Sequence, residues 1–425
     1  MRLVALSGAQ GAAMATTAVL TRTLNIDDPQ RRAVELACFA LCVANVTALA
    51  AMYAVGAFLV DTDGRTIPTD FVNVWAAGVM ALDGAPAAAY DPWLHKPVED
   101  AAVGWHFDGH YGWHYPPPFL FIAAGLALLP YLPAHLIWVC ATLPLYAASI
   151  RTISGERLGW LLALACPTLL ANATVGQNGF LTAALIGGTL HFMPRQPLVA
   201  GLCLGLLTYK PHFGLLFPLI FLVDQRWKTL AAATATAALL GLASWLCFGA
   251  VAWEAFFRWL PETSRAFLSE GQADWAKLQS LFALVRVLGG SEGLAWILQG
   301  TLSVSVAAAV IAIWRRAVPY ELKAAALATG TLLITPYVYL YDLLVLAVPV
   351  AFLVRLGLRT GFARHEMAGL GCAMGLLLVF PAVMAPVGLG ASAVVFAIVA
   401  ARAFAAVREG QNPPQLSATT CNQAS

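Results

Sequence analysis

The chain carries little charge for its length. Only 11% of its 425 residues are Asp, Glu, Lys or Arg, whereas 60% are hydrophobic, and the mean hydropathy is +0.75. Soluble domains carry about 25% charged residues, so this composition excludes a soluble protein. The net charge of +2 is too small to indicate a nucleic-acid partner.

Paired cysteine spacing is also missing. Of the eight cysteines, seven lie within apolar segments and only Cys421 lies in a polar tail. This excludes a disulfide framework or a zinc site of ordinary spacing, and we interpret the cysteines as packing residues. The sequence also lacks an evident fixed-period repeat and a large cytoplasmic domain that could bind a nucleotide sugar.

Long apolar segments make up most of the chain, and about 12 of them are candidate membrane spans. Several are shorter than the roughly 20 residues that a span needs, so we expect these to pack against other helices. Pro130 and Pro133 interrupt the segment 119–150, which fits either one kinked helix or a span plus a half-helix. The predicted fold is an all-α polytopic membrane protein with a large first outer loop and the spans Val34–Val60, Phe119–Ile150, Leu158–Ala173, Phe180–Phe192, Leu198–Leu207, Phe213–Val223, Thr229–Gly249, Leu294–Trp314, Leu322–Thr335, Leu343–Val354, Met367–Ala385 and Gly388–Phe404.

Basic residues recur at every second turn, which predicts the orientation. If Arg31 and Arg32 are cytoplasmic, the acidic loop that follows the first span is outside. The predicted organisation is a cytoplasmic segment 1–33, a transmembrane domain 34–406 with outer loops 61–117 and 250–287, and a disordered cytoplasmic tail 407–425. We therefore expect a multi-pass protein of the cytoplasmic membrane, in contact with membrane lipids.

Acidic residues concentrate in the first outer loop, where eight of the 22 carboxylates lie between Asp61 and Pro117. The orientation places four polar turns on the outer side: the Asp70 loop and residues 176–179, 209–212 and 335–342. Isolated polar groups are costly in hydrocarbon. We therefore expect these turns to line one shared cavity.

The turns resemble glycosyltransferase family 87, a family of polyprenyl-phosphate-sugar-dependent transferases in the GT-C superfamily. The resemblance extends from about Asp70 to Val350 and implies a GT-C-type helical bundle. It rests on the order of the motifs Asp70-Phe71, Trp75-Ala76-Ala77, Asp83-Gly84, Tyr90-Asp91-Pro92, Tyr115-Pro116-Pro117-Pro118, Gly176-Gln177-Asn178-Gly179, Lys210-Pro211, Gln279-Ser280-Leu281-Phe282 and Pro336-Tyr337 with Tyr341-Asp342.

Asp70 matches the position at which the family places its acid/base carboxylate. A sugar transfer with inversion needs a base beside the acceptor hydroxyl, and the dipole of a helix beginning at Phe71 would favour the ionised carboxylate. The alternative is that Asp70 only caps this helix. Asp61 and Asp63 are rival carboxylates, but their sequence is typical of a solvated turn.

Charged groups further along the chain are candidates for binding the donor. Lys210 is the first choice for the phosphate, because a cation between two apolar helices needs an anion; the alternative is snorkelling to the headgroups. Lys277 and Arg286 could do the same work, and His212 could add a donor. Asp342, beside Tyr341, is a substrate contact or a helix cap, and many family members have a histidine-containing turn here.

Amides and histidines complete the candidate site. Gln177 and Asn178 suit sugar hydroxyls, or they belong to a capped turn. His106, His110 and His114 have a spacing that could place three rings on one helix face for zinc, but the interleaved glycines argue against a helix. His114 and Tyr115 remain candidate sugar or phosphate contacts.

The sequence thus predicts a transferase that moves a hexose, mannose by family analogy, from a polyprenyl-phosphate donor to a lipid-linked or surface glycan acceptor. Nothing in it requires a cofactor or a metal, although a divalent metal is left open. A flippase or transporter would also have many spans, but would place its charges near the bilayer midplane. A non-catalytic scaffold would show no convergence of charged turns.

Overall fold

A computed structural model describes residues 29–155, 157–272 and 274–411. Within these ranges the protein is all-helical, as predicted, with only three isolated β-bridges. The α-helices are Pro29–Ala54, Phe71–Leu82, Pro92–Val103, Leu120–Ala127, Tyr131–Ser154, Leu158–Leu164, Leu169–Val175, Gly179–Phe192, Pro197–Leu206, Leu216–Val223, Trp227–Ser264, Leu281–Val287, Glu292–Trp314, Tyr320–Ile334, Ala347–Thr360, Arg364–Leu378, Phe380–Val383 and Val387–Gln411.

Short helical turns join these helices around the polar end of the bundle. The 3-10 segments are Pro86–Tyr90, Pro117–Phe119, Leu207–Tyr209, Pro211–Gly214, Trp275–Lys277 and Leu340–Leu346, and Arg265–Ser269 is a π-helical turn. Most of the predicted N-terminal segment 1–33 and of the predicted tail 407–425 lies outside the described residues; the last helix reaches Gln411.

Six helices of the described residues are long and apolar enough to cross a membrane, or seven if the bent pair Leu158–Leu164 and Leu169–Val175 forms one span. The predicted count of about 12 is not confirmed. The predicted spans 180–192, 198–207 and 213–223 form helices of only 14, 10 and 8 residues. At 1.5 Å per residue, even the longest is about 21 Å, short of a hydrocarbon core of about 30 Å.

The segment 119–150 contains a break rather than one continuous helix. Leu120–Ala127 has eight residues, and Tyr131–Ser154 begins directly after Pro130. Pro133 is tolerated in the first turn of the second helix because the amide lost there has no helical partner. Of the two arrangements that fit the sequence, the structure has a short helix followed by one full-length candidate span.

The segment Leu340–Thr360 is the most enclosed of the candidate spans. Of its apolar window 78% is buried, whereas only 11% is buried in Pro29–Ala54. A helix surrounded on all sides positions its first turn accurately, because neighbouring side chains leave it little freedom to move. The Asp342 carboxylate lies in this first turn.

The segment predicted as the first outer loop folds onto the bundle and contains two α-helices. Phe71–Leu82 packs against Leu120–Ala127 at Gly78, where a Cβ would clash with the Ala123 carbonyl. The second helix, Pro92–Val103, is capped by Asp91, whose side chain accepts the Trp93 amide at 2.9 Å. The loop is therefore a structured part of the protein that presents Asp70 from a packed helix.

The helix Trp227–Ser264 is broken at Gly249, where φ is 77° and ψ is 169°. A residue with a Cβ is strained at such a φ. The helix packs against the short turns Pro86–Tyr90 and Pro117–Phe119, and beyond the break the Phe256 ring centroid lies 6.0 Å from that of Tyr90. The segments predicted as the first and second outer loops are thereby in contact.

Candidate functional site

A cavity of about 1250 Å³ lies between the two loops and the ends of the bundle helices. All four polar turns singled out in the sequence contribute to its wall, together with the segment 256–277 of the second loop. The four polar turns therefore meet at one cavity, as expected from the cost of isolating polar groups in hydrocarbon. Of the predicted site residues, the cavity is lined by Asp70, His114, Tyr115, Gln177, Lys210, His212, Lys277, Tyr341 and Asp342, whereas Asn178 and Arg286 do not line it.

Asp70 directly precedes the helix Phe71–Leu82, yet its side chain makes no hydrogen bond to the amides of that helix. The carboxylate instead faces the cavity, where its Oδ2 accepts a hydrogen bond of 3.1 Å from Gln177 Nε2. Burial raises the pKa of the Asp70 carboxyl above its usual range, while the Gln177 bond and the positive charge of Lys277 oppose the rise. The Asp70 side chain therefore does not cap the helix that follows it. A raised pKa suits a carboxylate that acts as a general base.

Gln177 is held by contacts at both ends of its amide. Its Oε1 accepts hydrogen bonds from the Tyr115 hydroxyl at 3.0 Å and from the Asn178 amide at 3.3 Å. The Asn178 amide can only donate, so Oε1 must be the acceptor and Nε2 must point to Asp70. Gln177 thereby fixes the direction of the Asp70 carboxylate.

Lys210 and Asp342 form a buried ion pair. Lys210 Nζ is 2.5 Å from Asp342 Oδ1, and the two side chains are 8% and 3% exposed. Asp342 Oδ2 also accepts the Tyr339 amide at 3.0 Å, so Asp342 caps this turn and pairs with Lys210 at once. Lys210 is not the lone cation that the sequence suggested, because its anion comes from within the protein.

Lys277 also lines the cavity, and its ammonium has no ion-pair partner among the residues that the structure describes. Its segment is fixed against the turn 335–342, since the Gln279 amide donates to the Val338 carbonyl at 2.7 Å. Lys277 is close enough to Asp70 to favour its ionised form. The cavity therefore contains an exposed lysine outside any close ion pair, near the candidate base.

Arg286 and Asn178 lie in the protein beside the cavity but do not line it. Arg286 donates to the Gly290 and Ser269 carbonyls at 3.0 and 3.2 Å, and its guanidinium lies 4.2 Å from the Trp275 ring centroid. The Asn178 side chain is 2% exposed and has no hydrogen-bond partner in the described protein. Both residues support the wall of the cavity from behind.

The histidine series 106, 110 and 114 lies in a non-helical segment, as the interleaved glycines indicated. His106 Nδ1 is 2.7 Å from Asp100, whereas His114 Nδ1 is 3.2 Å from the Thr263 hydroxyl. Burial lowers the pKa of His114 to about 3, with further contributions from the nearby histidines. Among the described residues, no group of three or more His, Cys, Asp or Glu side chains is arranged to hold a metal ion.

Asp61 belongs to a turn away from the cavity. Its Oδ1 accepts the backbone amides of Asp63 and Arg65 at 2.9 and 2.8 Å, and neither Asp61 nor Asp63 lines the cavity. This arrangement agrees with the solvated turn predicted for the pair. Asp70 is therefore the acidic residue of its loop that faces the cavity.

Several residues that line the cavity were not predicted from the sequence. Asn73 is one helical turn beyond Asp70, a spacing that places both on one face. His95 is four residues before Glu99, which looks like an ordinary helix pair. His212 was predicted, and its ring nitrogen Nε2 has no hydrogen-bond partner among the residues that the structure describes. The unpredicted polar and aromatic residues of the wall include Asn73, Tyr90, His95, Tyr111 and Trp113, whereas Tyr209, Tyr337 and Tyr339 belong to turns that were expected there.

The sequence pattern of glycosyltransferase family 87 matches residues 113–336, more than half of the chain. The match includes Tyr115, Gln177, Lys210 and Lys277, and it begins after Asp70. No curated protein and no solved structure matches the chain.

Proposed function

The chain belongs to glycosyltransferase family 87, and from that premise we propose that it transfers a hexose, mannose in the first instance, from a polyprenyl-phosphate donor. The acceptor in this proposal is a lipid-linked or surface glycan on the outer face of the cytoplasmic membrane. The observation that carries the proposal is the single cavity shared by Asp70, Lys277 and the Lys210–Asp342 pair. A glycosyl transfer with a phosphate leaving group needs a base for the acceptor hydroxyl and a cation for the phosphate.

In the proposed reaction Asp70 accepts the proton of the acceptor hydroxyl. The hydroxyl oxygen forms a bond to the anomeric carbon, and the bond to the phosphate oxygen breaks with its electron pair passing to the leaving phosphate. Attack opposite the leaving group inverts the anomeric carbon. Gln177 supports this step by keeping the Asp70 carboxylate directed into the cavity.

A lipid-borne donor suits the position of the cavity. Its wall contains aliphatic and aromatic side chains such as Leu215, Phe380 and Met384 beside the charged groups. An apolar lipid tail can lie against such side chains while the phosphate reaches Lys277.

Lys277 is the better phosphate partner of the two cavity lysines. Lys210 is held in a close ion pair with Asp342 at 2.5 Å, whereas Lys277 is exposed and makes no close ion pair within the described protein. A leaving phosphate gains most from a cation that has no competing anion. The proposed chemistry uses this ammonium for charge compensation, and a requirement for a divalent metal is tested by adding a chelator.

Lys277→Ala is expected to raise the KM for the donor roughly 10- to 100-fold, because a hydrogen bond to a charged group is lost. Lys277→Arg should retain part of the affinity, since the positive charge remains. Kinetics at varied donor concentration measure the effect. Lys228→Ala, which removes an exposed lysine at the start of another helix, is the matched control. An unchanged donor KM in Lys277→Ala would exclude Lys277 as the phosphate contact.

Transfer itself is tested with membranes containing the protein and radiolabelled polyprenyl-phosphate mannose. The proposal expects label to pass covalently into a glycolipid or glycan, and to do so only when Asp70 is intact. A flippase would move the labelled lipid across the membrane without forming a new glycosidic product. Labelled product in equal amount without the protein would contradict the proposal.

The proposed orientation places Lys96, Gln272 and Tyr337 outside, and Arg195 and Arg315 in the cytoplasm, because basic residues favour cytoplasmic turns. Single cysteines at these positions, introduced after the native cysteines are replaced, should react with a membrane-impermeant maleimide only in the first group. If position 96 and position 315 were labelled from the same side, the outward-facing site would be wrong.

A further inference from the structure

His95 is a buried histidine in the cavity wall, and its ring nitrogens lack well-formed hydrogen bonds within the described residues. It lies on the helix Pro92–Val103, is 1% exposed and lines the cavity. Neither Nδ1 nor Nε2 makes a hydrogen bond of good geometry in the described protein, although the Ala89 backbone is near enough to interact weakly with the ring. Buried polar atoms without partners destabilise the folded protein. A bound ligand that supplies hydrogen-bond partners for the ring nitrogens would offset this cost.

The carboxyl group beside His95 is engaged elsewhere. Glu99 Oε1 is 3.6 Å from His95 Nε2, which is too long for a hydrogen bond. Both Glu99 oxygens accept the Tyr111 amide, at 3.0 and 3.2 Å. Glu99 therefore closes the back of this region and leaves the His95 ring to face the cavity.

This part of the wall is neutral near pH 7. Burial lowers the pKa of His95 to about 4, His110 lowers it further, and the Ala89 backbone partly opposes the change. Burial also raises the pKa of Glu99 to about 8, against the Tyr111 amide and Lys96. A neutral imidazole offers one donor and one acceptor, which matches a hydroxyl group better than it matches a phosphate.

A second unpartnered atom supports a ligand surface on this loop. Asn73 Oδ1 is buried without a hydrogen-bond partner in the described protein, and Asn73 lines the same cavity one turn beyond Asp70. An amide oxygen accepts hydrogen bonds from hydroxyl groups. The loop wall thus offers neutral polar groups, whereas the charged lysines come from segments of the bundle and of the second loop.

We propose that His95 forms a neutral subsite that binds sugar hydroxyl groups within the cavity. The inference rests on the proposed function, and both the donor hexose and the acceptor glycan carry this chemistry. One hydroxyl would donate to one ring nitrogen while another accepts from the second. His95 would then determine sugar affinity without taking part in bond formation.

The experiment measures direct binding of methyl α-mannoside, methyl α-glucoside and methyl α-galactoside to the detergent-solubilised full chain by saturation-transfer NMR. We expect a saturable signal from at least one glycoside, and His95→Phe should weaken it about 3- to 10-fold, the loss expected for one or two hydrogen bonds. His95→Gln keeps a donor and an acceptor and should restore part of the affinity. His106→Asn changes an exposed histidine paired with Asp100 and should bind like the parent.

Thermal unfolding shows whether the variant is folded. Because Phe removes unpartnered buried polar atoms, His95→Phe should unfold at the same temperature as the parent or higher. Steady-state kinetics then identify the sugar: a higher acceptor KM assigns the subsite to the acceptor glycan, and a higher donor KM assigns it to the donor hexose. No saturable binding by the parent, or equal binding by a folded His95→Phe, would overturn the proposal. Glycoside binding without any sugar transfer would instead contradict the proposed function and leave the subsite standing.

Discussion

Asp70→Asn is expected to give a folded, membrane-inserted protein that transfers sugar about 10² to 10⁴ times more slowly than the parent, the usual contribution of a general base. The amide cannot accept the proton of the acceptor hydroxyl. It retains an oxygen that can accept the hydrogen bond from Gln177, and no capping bond is lost because Asp70 makes none. Initial rates at saturating donor, together with the amount of inserted protein, measure the effect.

The matched controls are Asp61→Asn and Asp63→Asn, which change carboxylates of the same loop that do not line the cavity. Both should remain within a few-fold of the parent rate. A fully active Asp70→Asn would show that Asp70 is not the base. Because Asp342 is committed to Lys210 and the Tyr339 amide, it would replace Asp70 only if that pair opened on binding.

The pH dependence of transfer provides an independent check on Asp70. Burial raises the pKa of this carboxyl above its ordinary value, and the base must be ionised to accept a proton. Activity should therefore fall as the pH drops through the raised pKa, at a higher pH than an exposed aspartate would require. In Asp70→Asn this acidic limb should be absent from the residual rate.

The site could be predicted in part because its residues lie in short polar turns between apolar segments. Asp70, Gln177 and Lys210 stand out for that reason, and all three line the cavity. The partner of Lys210 could not be inferred from the sequence, since Asp342 is 132 residues away. His95 was missed because a histidine four residues before a glutamate looks like an exposed helix pair, whereas both are buried.

The number of spans was harder to predict than the fold class. Composition alone identifies an all-helical membrane protein, but apolar segments of 10 to 17 residues occur both in spans and in helices enclosed by others. Gly179–Phe192 illustrates the difficulty, because ten of its residues are buried within the protein. Hydropathy cannot distinguish burial against protein from burial against lipid.

Lys210→Met should destabilise the protein by about 3–5 kcal/mol, the usual effect of removing one partner of a buried ion pair. The Asp342 carboxylate would be left buried without its cation. The sequence suggested Lys210 as the partner of the donor phosphate, whereas the pair in the structure predicts an effect on stability. Thermal or denaturant unfolding in detergent measures the change. The exposed pair of Arg265 and Glu262 is the control, since Arg265→Met should cost about 1 kcal/mol or less.

The double variant Lys210→Met with Asp342→Asn separates the ion pair from the general effect of mutating the turn. The amide oxygen introduced at position 342 could still accept the Tyr339 amide, and no buried charge would remain, so most of the stability should return. Failure of the second substitution to restore stability would mean that the lysine stabilises the fold through its packing between Phe213 and Tyr341. A stable Lys210→Met with a high donor KM would instead show that Lys210 is free to bind phosphate. Lys277 would then no longer be the preferred phosphate partner.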